Sequence, residues 1–168
     1  MIELYELHEN EQYFFDQETL DRLSQALKPF NSVCCLCAPR LGEKLAAEGR
    51  KVSILDIDTR FQHLAGFRYF DLHRPAWIGE SFDLIVCDPP FFNISLARLF
   101  SAIRVLAQNN FAQPLLISYL QRRAGNLVGT FAKFGLVETD YSPTYQTVQK
   151  SPRNEVRFFS NIPFRFSG

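Results

Sequence analysis

An α/β fold, a doubly wound and mostly parallel sheet, is what this sequence predicts, and three observations predict it. The stretch Phe82-Asp83-Leu84-Ile85-Val86-Cys87 is a short apolar run closed by a turn signal, Asp88-Pro89-Pro90. That is the mark of a strand buried on both faces of a parallel sheet. Apolar runs of strand length alternate with helical periodicities along the chain, the pattern of βαβ units. At 168 residues the chain has room for one sizeable core. Residues 1–168 are therefore read as one domain, with an N-terminal segment over 1–31 and a sheet core over 32–168.

The elements follow in order. Glu11-Gln12-Tyr13-Phe14-Phe15-Asp16 leads into a helix over 17–27, where Leu20, Leu23 and Leu27 recur at helical spacing. Asp16 or Thr19 is its cap. The aromatic run either anchors the N-terminus to the core or covers a bound ligand, and both readings stay open. Residues 32–37 form the first strand, followed by Ala38-Pro39-Arg40 and a helix over 41–48. Residues 51–58 form the second strand, which ends in two acids. A third strand covers 67–71, and Phe82–Cys87 is the fourth. Asn93 is placed to cap a helix over 94–106, with Arg98, Ser101, Arg104 and Gln108 on its polar face. A strand over 115–120, a helix within 121–134 and a strand over 136–139 come next. A polar loop over 141–152 precedes the last strand, 155–161.

Composition bounds the class. With 46% hydrophobic and 21% charged residues and no low-complexity tract, the chain is globular rather than disordered. No apolar run reaches the roughly 20 residues of a membrane span. Met1-Ile2-Glu3-Leu4-Tyr5-Glu6 lacks the basic-then-apolar order of a signal peptide, so a cytoplasmic protein without a membrane partner is expected. Formal net charge is zero, against the basic excess of an unaided duplex-DNA binder. The charge is uneven, however. Residues 1–21 hold seven acids and no Lys or Arg, and residues 122–168 hold seven Lys or Arg against three acids. Cys34, Cys35, Cys37 and Cys87 lack paired metal-ligand spacing. They are read as thiols buried in strands, and no metal site is expected. His63 and His73 have no acid–base partner in the sequence and are read as surface or packing residues.

The chemistry concentrates at Asp88-Pro89-Pro90-Phe91. In open α/β sheets ligands bind just past the carboxyl ends of the strands, so these residues lie at a crevice. Asp88 offers a carboxylate acceptor and the Pro89 carbonyl a second, while neither proline has an N–H to donate. Phe91 offers a flat apolar face. Two acceptors beside an aromatic plate suit a planar ring bearing an exocyclic NH2. Drawing the amine hydrogens to acceptors leaves the nitrogen lone pair free for attack.

Ile85-Val86-Cys87-Asp88-Pro89-Pro90-Phe91 resembles the catalytic signature of S-adenosylmethionine-dependent amino methyltransferases, chiefly the N6-adenine type. The likeness extends over residues 11–162 through Gln12-Tyr13-Phe14, Ala38-Pro39-Arg40, Leu55-Asp56-Ile57-Asp58-Thr59-Arg60-Phe61 and Asn154-Glu155-Val156-Arg157. It is similar to the group named probable N6-adenine methyltransferases. The resemblance implies a Rossmann-like methyltransferase fold with a seven-stranded sheet, and S-adenosyl-L-methionine as cofactor. Asp88, Pro89, Pro90 and Phe91 are then the catalytic residues. Cys37, Ala38, Pro39 and Arg40 line the cofactor loop, with Arg40 either meeting the methionyl carboxylate or solvated. Asp58, and secondarily Asp56, would bind the ribose hydroxyls. The alternative reading is that one of that pair caps the helix that starts near Thr59. Asp71 would accept from the cofactor's adenine amine, and Phe14 would cover it. The sequence departs from the pattern at the usual Gly-x-Gly loop, where it has Cys37-Ala38-Pro39-Arg40 and a single Gly42.

Branches of that group methylate either an adenine in large-subunit ribosomal RNA or a lysine of elongation factor one-alpha. The expected substrate is the exocyclic amine of adenine in nucleic acid, RNA or DNA. The alternatives are a lysine on a translation factor, and a catalytically inactive binding subunit suggested by the altered glycine loop. Oligomeric state is not specified by the sequence.

Overall fold

Burial makes the apolar runs at 33–36, 52–56, 84–87 and 115–120 pair side by side. The structure, a computed structural model, describes residues 4–166. Met1, Ile2, Glu3, Ser167 and Gly168 lie outside the described residues, and with them the start of the acidic N-terminus and both ends of the 1–168 span. The strands are β1 (Val33–Leu36), β2 (Val52–Asp56), β3 (Phe67–Tyr69), β4 (Leu84–Cys87), β5 (Leu115–Leu120), β6 (Val137–Glu138) and β7 (Val156–Ser160). They form a seven-stranded sheet in the order β3-β2-β1-β4-β5-β7-β6. The first five run parallel, and β7 runs antiparallel to both β5 and β6. The strand order reverses between β1 and β4, the place where open α/β sheets leave a crevice.

Side chains alternate across the sheet, as the two-residue period of a strand requires. Val33, Cys35, Leu84, Val86, Leu116 and Phe158 pack under α1 (Gln17–Ala26) and α2 (Pro39–Ala47). Cys34, Leu36, Ile85, Cys87, Ile117 and Phe159 pack under α3 (Leu96–Leu106) and α4 (Ala124–Thr130). The thiols of Cys34 and Cys35 thus fill opposite layers of core. Among the described residues no helix is long and apolar enough to cross a membrane.

The structure corrects three local expectations. Helix α2 starts at Pro39 rather than Leu41, because proline at the first helical position loses no hydrogen bond and its φ is already helical. Helix α3 is capped by Ser95, whose hydroxyl accepts from Arg98 N at 3.2 Å. Residues 91–94 continue the Pro89-Pro90 turn, so Asn93 is not the cap. Cys37 lies beyond β1 in the left-handed region, with φ 57°. Asp16 caps α1 by accepting from Thr19 N at 2.9 Å, one of the two options read in the sequence.

Gly42, the one glycine of the altered loop region, serves packing. A Cβ built on it would meet Cγ1 of Ile54 at 2.4 Å, so the missing side chain lets α2 sit down on β2. Gly42→Ala is expected to cost about 1–3 kcal/mol by overpacking. Ile54→Ala alone is expected to cost about 2–5 kcal/mol, and the double variant less than the sum of the two. Chemical denaturation of the four proteins tests this; strict additivity would show that the contact does not limit the approach.

Candidate active site

Strand register builds the site. Leu36 is level with Leu55 of β2 and with Cys87 of β4, so the next residues, Cys37, Asp56 and Asp88, emerge together at the carboxyl ends of three adjacent strands. Cys37 N donates to Leu55 O at 2.9 Å and Asp88 N to Leu36 O at 3.1 Å, which fixes that level. Cys87 is level with Ile117 of β5, so Ser118 comes up beside Asp88.

These residues open into a cavity of about 740 Å³, within the roughly 300–1,000 Å³ range of small-molecule sites. Its lining takes in every sequence-predicted site residue: Phe14, Cys37, Ala38, Pro39, Arg40, Asp56, Asp58, Asp71, Asp88, Pro89, Pro90 and Phe91. The structure therefore brings the whole candidate set together. His73 reaches the same wall, whereas His63 is an exposed residue beside Arg60 O.

Asp88 is the most perturbed carboxyl. Its Oδ1 receives the Ser118 hydroxyl at 2.6 Å and the Tyr145 hydroxyl at 2.8 Å. Oδ2 has no hydrogen-bond partner among the described residues, leaving it for the cavity. Burial pushes the carboxyl up to about 7; the two hydroxyls oppose that rise, and the charge of Asp56 adds to it. Neither Ser118 nor Tyr145 belongs to the set read from the sequence. Ser118 carried a signal, as the one small polar side chain within the apolar run of β5. Tyr145 carried none, because it sits in the loop read simply as polar.

The two acids at the end of β2 divide their roles. Asp58 accepts from Arg60 at Nε and NH2, 2.9 and 2.7 Å, and from Gln12 Nε2 at 2.8 Å. It also caps the turn at Thr59–Phe61 through Arg60 N. Burial works to raise its carboxyl, but Arg60 and Gln12 outweigh burial and hold it below the usual range. Asp56 receives the N–H of Asp58 at 2.8 Å and lines the cavity. Burial lifts it to about 6, against the pull of that N–H and with the push of the Asp58 charge. Asp71 accepts from His73 N at 2.9 Å in a local turn. Arg40 is no solvated loop residue. It is buried on α2, bonded to Glu43 at 2.7 Å and stacked over the rings of Phe14 and Phe61 at 4.8 and 5.4 Å.

A cover closes one side. Phe15 and Tyr145 form a β-bridge and their rings stack at 5.3 Å. Gln146 N donates to Phe14 O, Asp16 N to Thr144 O, and the Thr147 hydroxyl to Glu6. Both Glu11 oxygens accept from Phe92 N, at 3.0 and 3.2 Å. Within the aromatic run, Phe15 is core and Phe14 lines the cavity. Across the mouth lie Arg122 and Arg153, exposed and joined by Arg122 Nε to Arg153 O at 3.3 Å. Arg123 stands over Tyr119, which meets Phe91 edge-on at 5.6 Å.

The raised carboxyl gives a stability prediction. Between about pH 4 and 7 folded Asp88 keeps a proton that the unfolded chain releases, so its contribution to stability falls as pH rises and its full cost is present above 7. Asp88→Asn is neutral and isosteric. It is expected to raise stability at pH 8 by about 2 kcal/mol, less than the full shift because the carboxylate faces the cavity, and by nothing at pH 4. Thermal melts at both pH values check the widening gap.

Comparisons with known proteins bear on this geometry. The family described as probable N6-adenine methyltransferase matches residues 6–164. EEF1A lysine methyltransferase 1 of Mus musculus is 30% identical over 100 residues, covering 52% of this chain and 47% of that protein. The chain thus spans about half the length of that relative. Among solved structures, an S-adenosylmethionine-dependent methyltransferase from Clostridium acetobutylicum superposes with TM-score 0.61 at 11% identity, covering 91% of this chain and 93% of that one. Magnesium protoporphyrin IX methyltransferase from Synechocystis, solved with its bound methyl donor, gives 0.59 at 16% identity, covering 86% and 77%. At such identities the likeness is one of fold, the Rossmann-like methyltransferase sheet. With its strand order, its cavity and a family match over nearly all the described residues, the chain belongs to the probable N6-adenine methyltransferase family of S-adenosylmethionine-dependent methyltransferases.

Proposed function

We propose that this chain methylates the exocyclic amine of adenine in nucleic acid, working as one catalytic domain. The observation that carries the reading is the juxtaposition of Asp88, the Pro89 carbonyl and Phe91 at a cavity whose mouth bears Arg122 and Arg153. The cofactor, S-adenosyl-L-methionine, supplies a methyl group on a cationic sulfur. The residues present fit it. The N-terminus of α2 turns its first free N–H groups toward the loop Cys37-Ala38-Pro39, and Phe14 and Arg40 wall the same side. Asp58 is engaged by Arg60 and Gln12, so we assign ribose recognition to Asp56, whose carboxylate takes only backbone N–H groups. Asp71 is placed to accept an amine at the cavity wall.

Asp88 Oδ2 and the Pro89 carbonyl then take the two amine hydrogens of the acceptor, and Phe91 stacks on its ring. Water is excluded by the cover from Phe14 to Phe15 and from Thr144 to Thr147. Arg122, Arg123 and Arg153 meet the phosphates that flank the target base. A duplex target would have to present the base unstacked.

A second reading, transfer to a protein lysine, is favoured by the likeness to the mouse lysine methyltransferase and by the Glu11 carboxylate at Phe92. In that case Asp88 would also take a proton from the ammonium before attack.

Labelled S-adenosylmethionine incubated with the protein and a cell lysate separates the readings. The expected result is label that nuclease removes and protease leaves, with Asp88→Ala reducing it by about 10²–10³-fold, the scale of losing one preorganised polar contact. Label that follows a protein band would overturn adenine in favour of lysine. Failure of the protein to bind the methyl donor in calorimetry would leave the inactive binding subunit. With substrate in hand, kcat/KM is expected to rise with pH and level off above about 7, where Asp88 becomes an acceptor. A flat profile from pH 5 to 9 would remove Asp88 from the acceptor role.

A further inference from the structure

Asp88 is held by a residue that no part of the catalytic signature contains. Tyr145 reaches it from 57 positions away in sequence, carried on the loop that pairs with the N-terminal segment at Phe15. Ser118 reaches the same oxygen from β5. Both hydroxyls donate, and both donate to Oδ1, so the proton of a neutral Asp88 has its place on Oδ2, the oxygen left for the cavity. A protonated Oδ2 donates where the reaction needs an acceptor. Saturating one oxygen therefore makes the other an all-or-none reporter of ionisation.

We propose that Tyr145 is a positioning residue for Asp88: its hydroxyl, together with that of Ser118, fixes Oδ1 and turns Oδ2 toward the methyl acceptor, and it is delivered there by pairing of the cover. The proposal rests on the assignment of Asp88 as the acceptor group. The cover is stitched at several points, from Thr147 to Glu6, from Gln146 N to Phe14 O and from Asp16 N to Thr144 O. Opening it withdraws the Tyr145 hydroxyl from Asp88. Closure of the cavity and preparation of its carboxylate are thus one event.

The groups that face Asp88 are few. Asp56 on β2 repels its charge, and the free thiols of Cys37 and Cys87 lie next to each other beside it. Ser118 and Tyr145 are the two donors to its carboxylate among the described residues. Removing one donor hydrogen bond from a buried carboxylate favours its neutral form. Tyr145→Phe keeps the ring that stacks on Phe15 and removes the hydroxyl alone, so folding is preserved by design.

The test reads Asp88 directly, without a substrate. Carbon-13 NMR of the carboxyl groups, titrated from pH 4 to 10 with Asp88→Asn to assign the signal, gives its midpoint in wild type, Tyr145→Phe and Ser118→Ala. We expect Tyr145→Phe to move the midpoint up by about one pH unit. In turnover at pH 6 the same variant is expected to lose about ten-fold in kcat/KM and to recover most of it at pH 9, with methyl-donor affinity unchanged. An unmoved midpoint would overturn the proposal, as would a loss of activity equal at all pH values, the mark of a purely structural tyrosine. A shifted midpoint in a protein that transfers no methyl group would uphold the contact and count against the assigned reaction instead.

Discussion

The parallel register of β1 with its two neighbours is the constraint on which the rest depends. Leu36 level with Leu55 and Cys87 is demanded by burial, because a one-residue slip would turn every side chain of β1 to the wrong layer. Once burial fixes that level, the residues that follow are fixed too. Cys37, Asp56 and Asp88 emerge abreast at the point where strand order reverses, and Ser118 joins them through the register of β5. The hydrophobic effect thus sets the geometry of a polar site it does not touch.

That site departs from low-energy choices in two places. Asp88 sits at the end of a fully buried strand with its ionisation opposed, a cost that a neutral side chain would avoid. Cys37 adopts the left-handed backbone region that favours glycine, which lacks the Cβ responsible for the penalty. The chain departs from the usual glycine loop in residue type here, yet keeps the backbone turn that a glycine would make easily. Strain of this kind persists where the surroundings over-determine it. At Cys37 the surroundings are the bond to Leu55 O and the contact with the Cys87 thiol. The glycine the sequence does supply nearby, Gly42, is used for the approach of α2 to Ile54 instead.

Legibility in the sequence followed chain distance. The Asp-Pro-Pro-Phe turn was legible because its acceptors and its aromatic face are contiguous, and the sheet because apolar runs bounded by turns have few other meanings. The sequence puts Asp58 ahead of Asp56 as the ribose acid, although Arg60 two residues on was a clue that Asp58 is engaged by a guanidinium. Asn93 and Ser95 are cap types alike, and which one starts α3 depends on how many residues the Pro-Pro-Phe turn consumes. Ser118 is visible in hindsight as a hydroxyl where a parallel strand wants a methyl. Tyr145 is not visible at all, because its position follows from the bridge to Phe15, a contact between the two ends of the chain.

Charge was the other quantity hidden in the totals. The sum is zero, yet the fold gathers charges of both signs at one mouth, Glu11 with Arg122 and Arg153. The acidic N-terminal segment lies along one wall, with Glu6 turned inward to Thr147 and Glu11 on Phe92 N. Arg122 and Arg153 lie elsewhere on the lining, and Arg123 stands over Tyr119. A field divided in this way contributes little to overall attraction but strongly to orientation. On the proposed function, a polyanion would follow the arginines so that a base projecting from it meets Phe91, whereas an ammonium would be drawn toward Glu11 and Asp88. Of the two groups of charge, the arginines are the one continuous with Phe91 through Tyr119, the aromatic plate on which a base would stack.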